Sequence, residues 1–150
     1  MKQPRLTIEL VPKTTWFNNV RSALTTKQWD LLRKDSYKKA NYRCEVCNGV
    51  GAKHPVECHE IWAFDEESKI QILTGLISLC PSCHEVKHIG LALKKGNGDR
   101  ALRHLAKVNN WNEQDAEDYA FSAFELHAIR SNQQWTVNID FITQELPNMF

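Results

Sequence analysis

Four cysteines stand in two CxxC pairs, Cys44-Glu-Val-Cys47 and Cys80-Pro-Ser-Cys83, which bracket a His-Glu step at His59-Glu60. Two such knuckles brought together supply four thiolates, the donor set of a tetrahedral zinc site. The second pair runs straight into His84 and, four residues on, His88. Residues four apart share one face of a helix, so these two imidazoles can grip a single ion. His59, in a segment that reads as a strand, is a candidate third ligand. The chemistry to expect is a closed sulfur site that holds the fold, beside a nitrogen site with positions left open for substrate and water.

The elements that must position these residues follow from hydrophobic periodicity. A helix is expected over 26–40, with Trp29, Leu31 and Leu32 on its apolar side, and it delivers the chain to the first knuckle. Asn48-Gly49 opens a turn cluster, after which 56–63 reads as a strand and 70–73 as its partner. One helix is expected over 82–93, carrying His84, Lys87 and His88. Another follows over 99–108, and a third starts at the N-cap Asn112 and runs to about residue 131, its acidic first turn suiting the helix dipole. Alternation predicts a weak strand over 6–11 and a clear one over 135–142, two terminal segments able to pair with each other. Residues 15–23 are ambiguous, with Trp16, Phe17 and Val20 spaced for a helical turn.

The chain has 150 residues, the size of one ordinary domain that buries a core without disulfides. Net charge is +1, so overall balance argues for no particular partner. Local charge says more: residues 21–43 hold seven basic side chains against two acidic, and residues 84–107 hold six against two. Both stretches flank the metal motifs, which points to a phosphate-binding surface rather than merely solvated helix faces. Residues 109–127 are acidic, with no Lys or Arg. The start lacks the apolar core of a signal peptide, and no stretch has the length of a membrane span. With cysteines in metal-type spacing rather than a disulfide framework, a cytoplasmic protein with no membrane partner is expected.

A CxxC, then a histidine-bearing strand, then Leu79-Cys80-Pro81-Ser82-Cys83-His84-Glu85-Val86-Lys87-His88 resembles the HNH endonuclease family. The likeness covers residues 42–89, about a third of the chain. It implies an α+β fold in which a ββα-metal (His-Me) finger with zinc knuckles carries extra helices and a small terminal strand pair. The HNH-like core would span about 42–90 of a single domain 1–150, with 5–41 and 98–145 as elaborations. By that resemblance His59, His84 and His88 hold a catalytic divalent ion, and Cys44, Cys47, Cys80 and Cys83 hold structural Zn2+. Imidazoles suit zinc or nickel, and magnesium or manganese remain open as the working metal.

The resemblance implies hydrolysis of phosphodiester bonds in DNA, with the ion stabilising charge on the phosphate and the leaving oxygen. The chain departs from the family twice. Glu60 stands where a histidine general base usually follows the first ligand, and Gly75 stands where the central Asn, five residues before the third cysteine, usually lies. Glu60 would then be the base, ionised at neutral pH with a reference pKa of about 4.3, or a fourth ligand with His54 as the base. If Cys58 took the ligand position, His59 would become the base. Arg43, Lys87, Lys94 and Lys95 are candidates for contacts to the nucleic-acid backbone.

Two further function classes share these features. One is a zinc-stabilised nucleic-acid-binding module with weakened or lost cleavage, which Glu60 and Gly75 favour. The other is a protein-interaction zinc domain, which the acidic helix permits. Cys58 reads as a small core residue, His104 and His127 as structural or solvent-facing. The tryptophans read as packing, with Trp62 able to face substrate. The spacing fixes neither the oligomeric state nor the target.

Overall fold

The computed structural model describes residues 3–145 of the chain, a mixed α+β structure around a three-stranded sheet. After a single 3-10 turn at Lys13–Thr15 come a short helix α1 (Val20–Ala23) and the longer α2 (Thr26–Lys39). Thr25 and Gln28 close a capping box at the start of α2, each satisfying a backbone N–H of the other. Leu32 and Ser36 of α2 are buried one turn apart, with Trp29 packed beside them, whereas Leu31 faces solvent.

Strands β1 (Glu57–Asp65) and β2 (Ile70–Leu79) form an antiparallel hairpin, longer than the 56–63 and 70–73 pair expected. Ile61 pairs with Gly75 and Trp62 with Leu73, so Thr74 bulges out. Gly75 therefore lies inside the hairpin ladder. The helices α3 (Pro81–Lys87) and α4 (Ile89–Lys94) follow, then α5 (Gly98–Asn109) and α6 (Glu113–Ser131). Asn112 caps α6 as its sequence suggested. The single helix expected over 82–93 breaks at His88, whose backbone leaves the helical region. Val86, Ile89 and Ala92 are all buried at three-residue spacing. A straight α-helix would carry the third roughly 120° away from the first, and the break keeps all three in the core.

The terminal strand pair does not form. Residues 6–11 pair with no strand, and side chains of α5 and α6 answer part of their backbone instead. Arg5 and Leu6 N–H both donate to Asn109 Oδ1 at 2.8 Å, and Ile8 N–H donates to the Tyr119 hydroxyl at 3.1 Å. Of 135–142, only β3 (Thr136–Asn138) is strand, and it pairs in parallel with Ile70–Ile72 of β2. Asn138 Oδ1 then accepts the Asp140 N–H at 2.8 Å and starts α7 (Asp140–Glu145), where Ile142 is buried as a helical rather than a strand residue.

The sheet separates two apolar cores, as expected where successive strand residues face opposite ways. Leu79, Val86, Ile89, Leu105 and Ala116, with Leu6 and Ile8, fill the side of α3 and α5. Val20, Leu32, Trp62, Leu73 and Ile142 fill the side of α2 and α7. Trp62 is thus packed in this second core and does not face substrate. Among the described residues no helix is long and apolar enough to cross a membrane.

Candidate metal centres

The two knuckles meet where the chain enters and leaves the hairpin. Glu45 fixes the first one to the end of β2: its N–H donates to Ser78 O at 2.9 Å, and its carboxylate accepts the Ser78 N–H at 2.7 Å. The cysteine turns have their own N–H···S bonds, Cys47 N to Cys44 Sγ at 3.5 Å and Cys83 N to Cys80 Sγ at 3.4 Å. A Cβ on Gly51 would stand 2.7 Å from Pro81, so only glycine lets the loop after the first knuckle close on the start of α3.

The sulfurs of Cys44, Cys47, Cys80 and Cys83 converge, 3.6–3.9 Å apart. Zn–S bonds of about 2.3 Å in a tetrahedron set sulfurs about 3.8 Å apart, so the four cysteines could hold a metal such as zinc. Their ionisation agrees. A hydrogen bond from Cys83 draws the Cys44 thiol down to about 4. Sharing with Cys44 pushes Cys83 upward, and burial pushes Cys80 up to about 11. Four thiols so close cannot all ionise together without a cation among them.

The second group lies on the α3 side of the sheet. His59 projects from β1, and His84 and His88 from α3 and its end, with donor nitrogens all within 4.8 Å of one another. His84 Nε2 and His88 Nε2 are 3.1 Å apart, and the three rings meet edge to face. Two nitrogens each about 2.1 Å from one ion in a tetrahedral site lie roughly 3.4 Å apart, so this donor set also suits a transition ion. Burial, with the neighbouring imidazoles adding to it, lowers His59 to about 2, and desolvation with His84 alongside lowers His88 to about 4. Both rings are neutral at neutral pH, the form that ligates.

Glu60 is not brought to this cluster. Adjacent strand residues point to opposite faces, so with His59 toward α3, Glu60 points toward α1. Burial raises its carboxyl, an effect partly offset by hydrogen bonds from the Val20 and Arg21 backbone and from Trp62. His54 comes close instead. Its Nε2 lies 3.0 Å from one carboxylate oxygen of Glu57, whose other oxygen lies 3.0 Å from His84 Nδ1. Burial alone would raise the Glu57 carboxyl, but the bonds to His84 and His54 win and hold it below the ordinary range. Cys58 faces away from the imidazoles toward Ser36, and burial pushes its thiol up to about 11.

The basic candidates divide. Lys87 is buried, its Nζ 2.9 Å from Thr7 Oγ1 and 3.0 Å from Glu9, so it fastens α3 to the N-terminal segment and cannot reach a phosphate. A Lys stem half a turn from the outer face of α3 lies in the core, which its place in a basic stretch concealed. Arg43 is exposed, with Nη1 donating to Asn48 O at 3.0 Å, and Lys94 and Lys95 are exposed at the end of α4. Two contributors escaped the sequence reading. Glu57 was findable, since it stands two residues before His59 and so shares its strand face. His104 Nε2 lies 3.2 Å from Cys83 Sγ, and nothing local in α5 announces that contact.

Between α2 and the outer edge of β1 runs a groove of about 760 Å³, lined in part by Arg21, Trp29, Tyr37, Tyr42, His54 and His84. A second hollow of about 530 Å³ lies against the sulfur cluster, near Arg5, His104 and Lys107. A scan of protein-family models and searches of curated proteins and of solved structures find no match to this chain.

Proposed function

We propose that the chain is a metal-dependent endonuclease of the HNH type, a ββα-metal finger that hydrolyses phosphodiester bonds in DNA. The observation that carries this reading is the convergence of His59, His84 and His88 on the hairpin-helix unit β1–β2–α3, with Glu57 bonded to the far nitrogen of His84. A carboxylate behind an imidazole fixes the tautomer and turns the other nitrogen toward an ion, the usual arrangement around a catalytic metal. The ion's contribution when bound is to neutralise charge growing on the scissile phosphate and the leaving oxygen.

The chain's own residues would do the rest. His59 and His88 stay neutral, and His84 turns its Nε2 toward the point the three rings share. His54, exposed and bonded through Nε2 to Glu57, braces the carboxylate that aims His84. Glu60 has no such part in this reading, because its carboxyl is engaged with the α1 backbone. The sulfur cluster holds Zn2+ as a structural centre.

The position of Glu60 also favours a second reading, a zinc-stabilised nucleic-acid-binding module that does not cleave. Metal content and plasmid nicking decide between them. The nuclease reading expects two ions per chain and metal-dependent nicking of supercoiled plasmid, lost in His84→Ala, weakened in His54→Ala and retained in Glu60→Gln. One ion per chain, with plasmid left intact under magnesium, manganese, nickel and zinc, would establish the binding module.

A further inference from the structure

Given the proposal that the imidazoles serve phosphodiester cleavage, we infer that the groove between α2 and β1 receives an unpaired nucleic-acid strand, so that the substrate is single-stranded or locally opened. The groove reaches one of the three imidazoles, since His84 belongs to its lining together with Glu57. Its walls combine aromatic faces with cations, the pairing that binds unpaired bases and their phosphates. Tyr42 is half exposed at the rim, 53% of its surface open, in a left-handed backbone with φ 59° that a tyrosine rarely adopts. Its N–H donates to Tyr37 O at 2.9 Å, which holds the strained turn together. The fold thus spends backbone strain to keep a large ring in the open beside the groove.

The groove's two arginines are not equivalent. Arg33 Nε is bonded to Asp30 at 2.8 Å and its guanidinium lies over the Tyr37 ring, so it stiffens the wall. Arg21 is exposed and enters no ion pair among the described residues, which leaves it for a phosphate. A duplex keeps its bases stacked inside, out of reach of Tyr42 and Trp29, and a hollow of about 760 Å³ admits only a nucleotide or two of one strand. β1 is the outer strand of the sheet, so an extended peptide is the competing occupant. The groove's free cation, its aromatic rim and its approach to His84 favour nucleic acid.

The test is fluorescence anisotropy on the zinc-loaded full chain without added divalent ion, using a labelled 12-nucleotide single strand and a hairpin duplex of the same sequence. The single strand is expected to bind about tenfold or more tightly than the duplex. Tyr42→Gly, which relieves the backbone, is expected to lose about tenfold for the single strand alone, and Tyr42→Phe to keep it. Equal binding of both forms, unchanged in the Tyr42 variants, would overturn the groove assignment while metal-dependent nicking kept the nuclease reading alive. Absence of single-strand binding, with a Val-Thr repeat peptide binding instead, would assign the groove to strand addition. Binding of neither strand form, with no nicking, would sink both.

Discussion

Nδ1 of His84 meets a carboxylate oxygen of Glu57 at 3.0 Å, which turns the ring's Nε2 toward Nε2 of His88, 3.1 Å away. A residue two places before His59 on β1 thereby sets the aim of a residue on α3. Glu57→Ala is expected to weaken ion binding at the imidazoles by about tenfold to a hundredfold while leaving Tm within a degree or two. Calorimetric titration of manganese or nickel into zinc-loaded protein reads this directly. Unchanged affinity would mean that His84 is aimed by packing alone.

His104 approaches Cys83 Sγ at 3.2 Å from a helix that carries no cysteine. A ring N–H donated to a thiolate lowers the charge that sulfur presents and slows its protonation. His104→Ala is expected to release zinc about tenfold faster to a chromogenic chelator, and His104→Gln, which keeps a donor, to recover part of the difference. Equal release from all three proteins would reduce the contact to packing.

Lys87 tests the division of the basic residues. Its Nζ is buried against Thr7 and Glu9, so Lys87→Met keeps the stem and removes the bonds. A loss of about 1–3 kcal/mol is expected in urea unfolding, with Glu9 less affected because it reaches water. The salt dependence of nucleic-acid binding should stay the same in Lys87→Met and flatten in Arg43→Ala, as a phosphate contact requires.

Acid should loosen the protein that carries an ion at the sulfurs and none at the imidazoles. His59 lies at about 2 and His88 at about 4 in the folded chain, against 6.5 for a free imidazole, so in that interval the unfolded chain binds more protons. The stability due to these neutral rings is complete above 6.5 and declines as pH falls below it toward the folded values. Urea midpoints at pH 7.5 and 5.0 should therefore differ more in the parent than in His59→Phe. Equal differences would show that other groups dominate acid unfolding.

How far the sequence could be read depends on the range of each interaction. The CxxC spacing and the four-residue step from His84 to His88 are local, and the structure brings those residues together as two compact donor groups. Helices α2, α5 and α6 were legible because each carries its own cap or apolar stripe. The terminal strand pair was not. Alternation in 6–11 signals extended chain, but Asn109 and Tyr119, over a hundred residues away, answer its backbone in place of a strand. The role expected of Glu60 failed to account for strand phase: a residue next to a ligand on β1 must face the other way, and the residue two places off, Glu57, shares its face. Lys87 looked like a surface charge because a charge run carries no information on which stem turns inward.

Cys80 is both a member of the sulfur cluster and the N-cap of α3, its sulfur accepting the Cys83 N–H at 3.4 Å. The helix that carries His84 therefore begins at an atom whose position depends on the other three cysteines. An ion held by the four sulfurs would also fix the first turn of the helix that presents His84. Stripping that ion is expected to disturb the sulfur and the imidazole groups together rather than one alone.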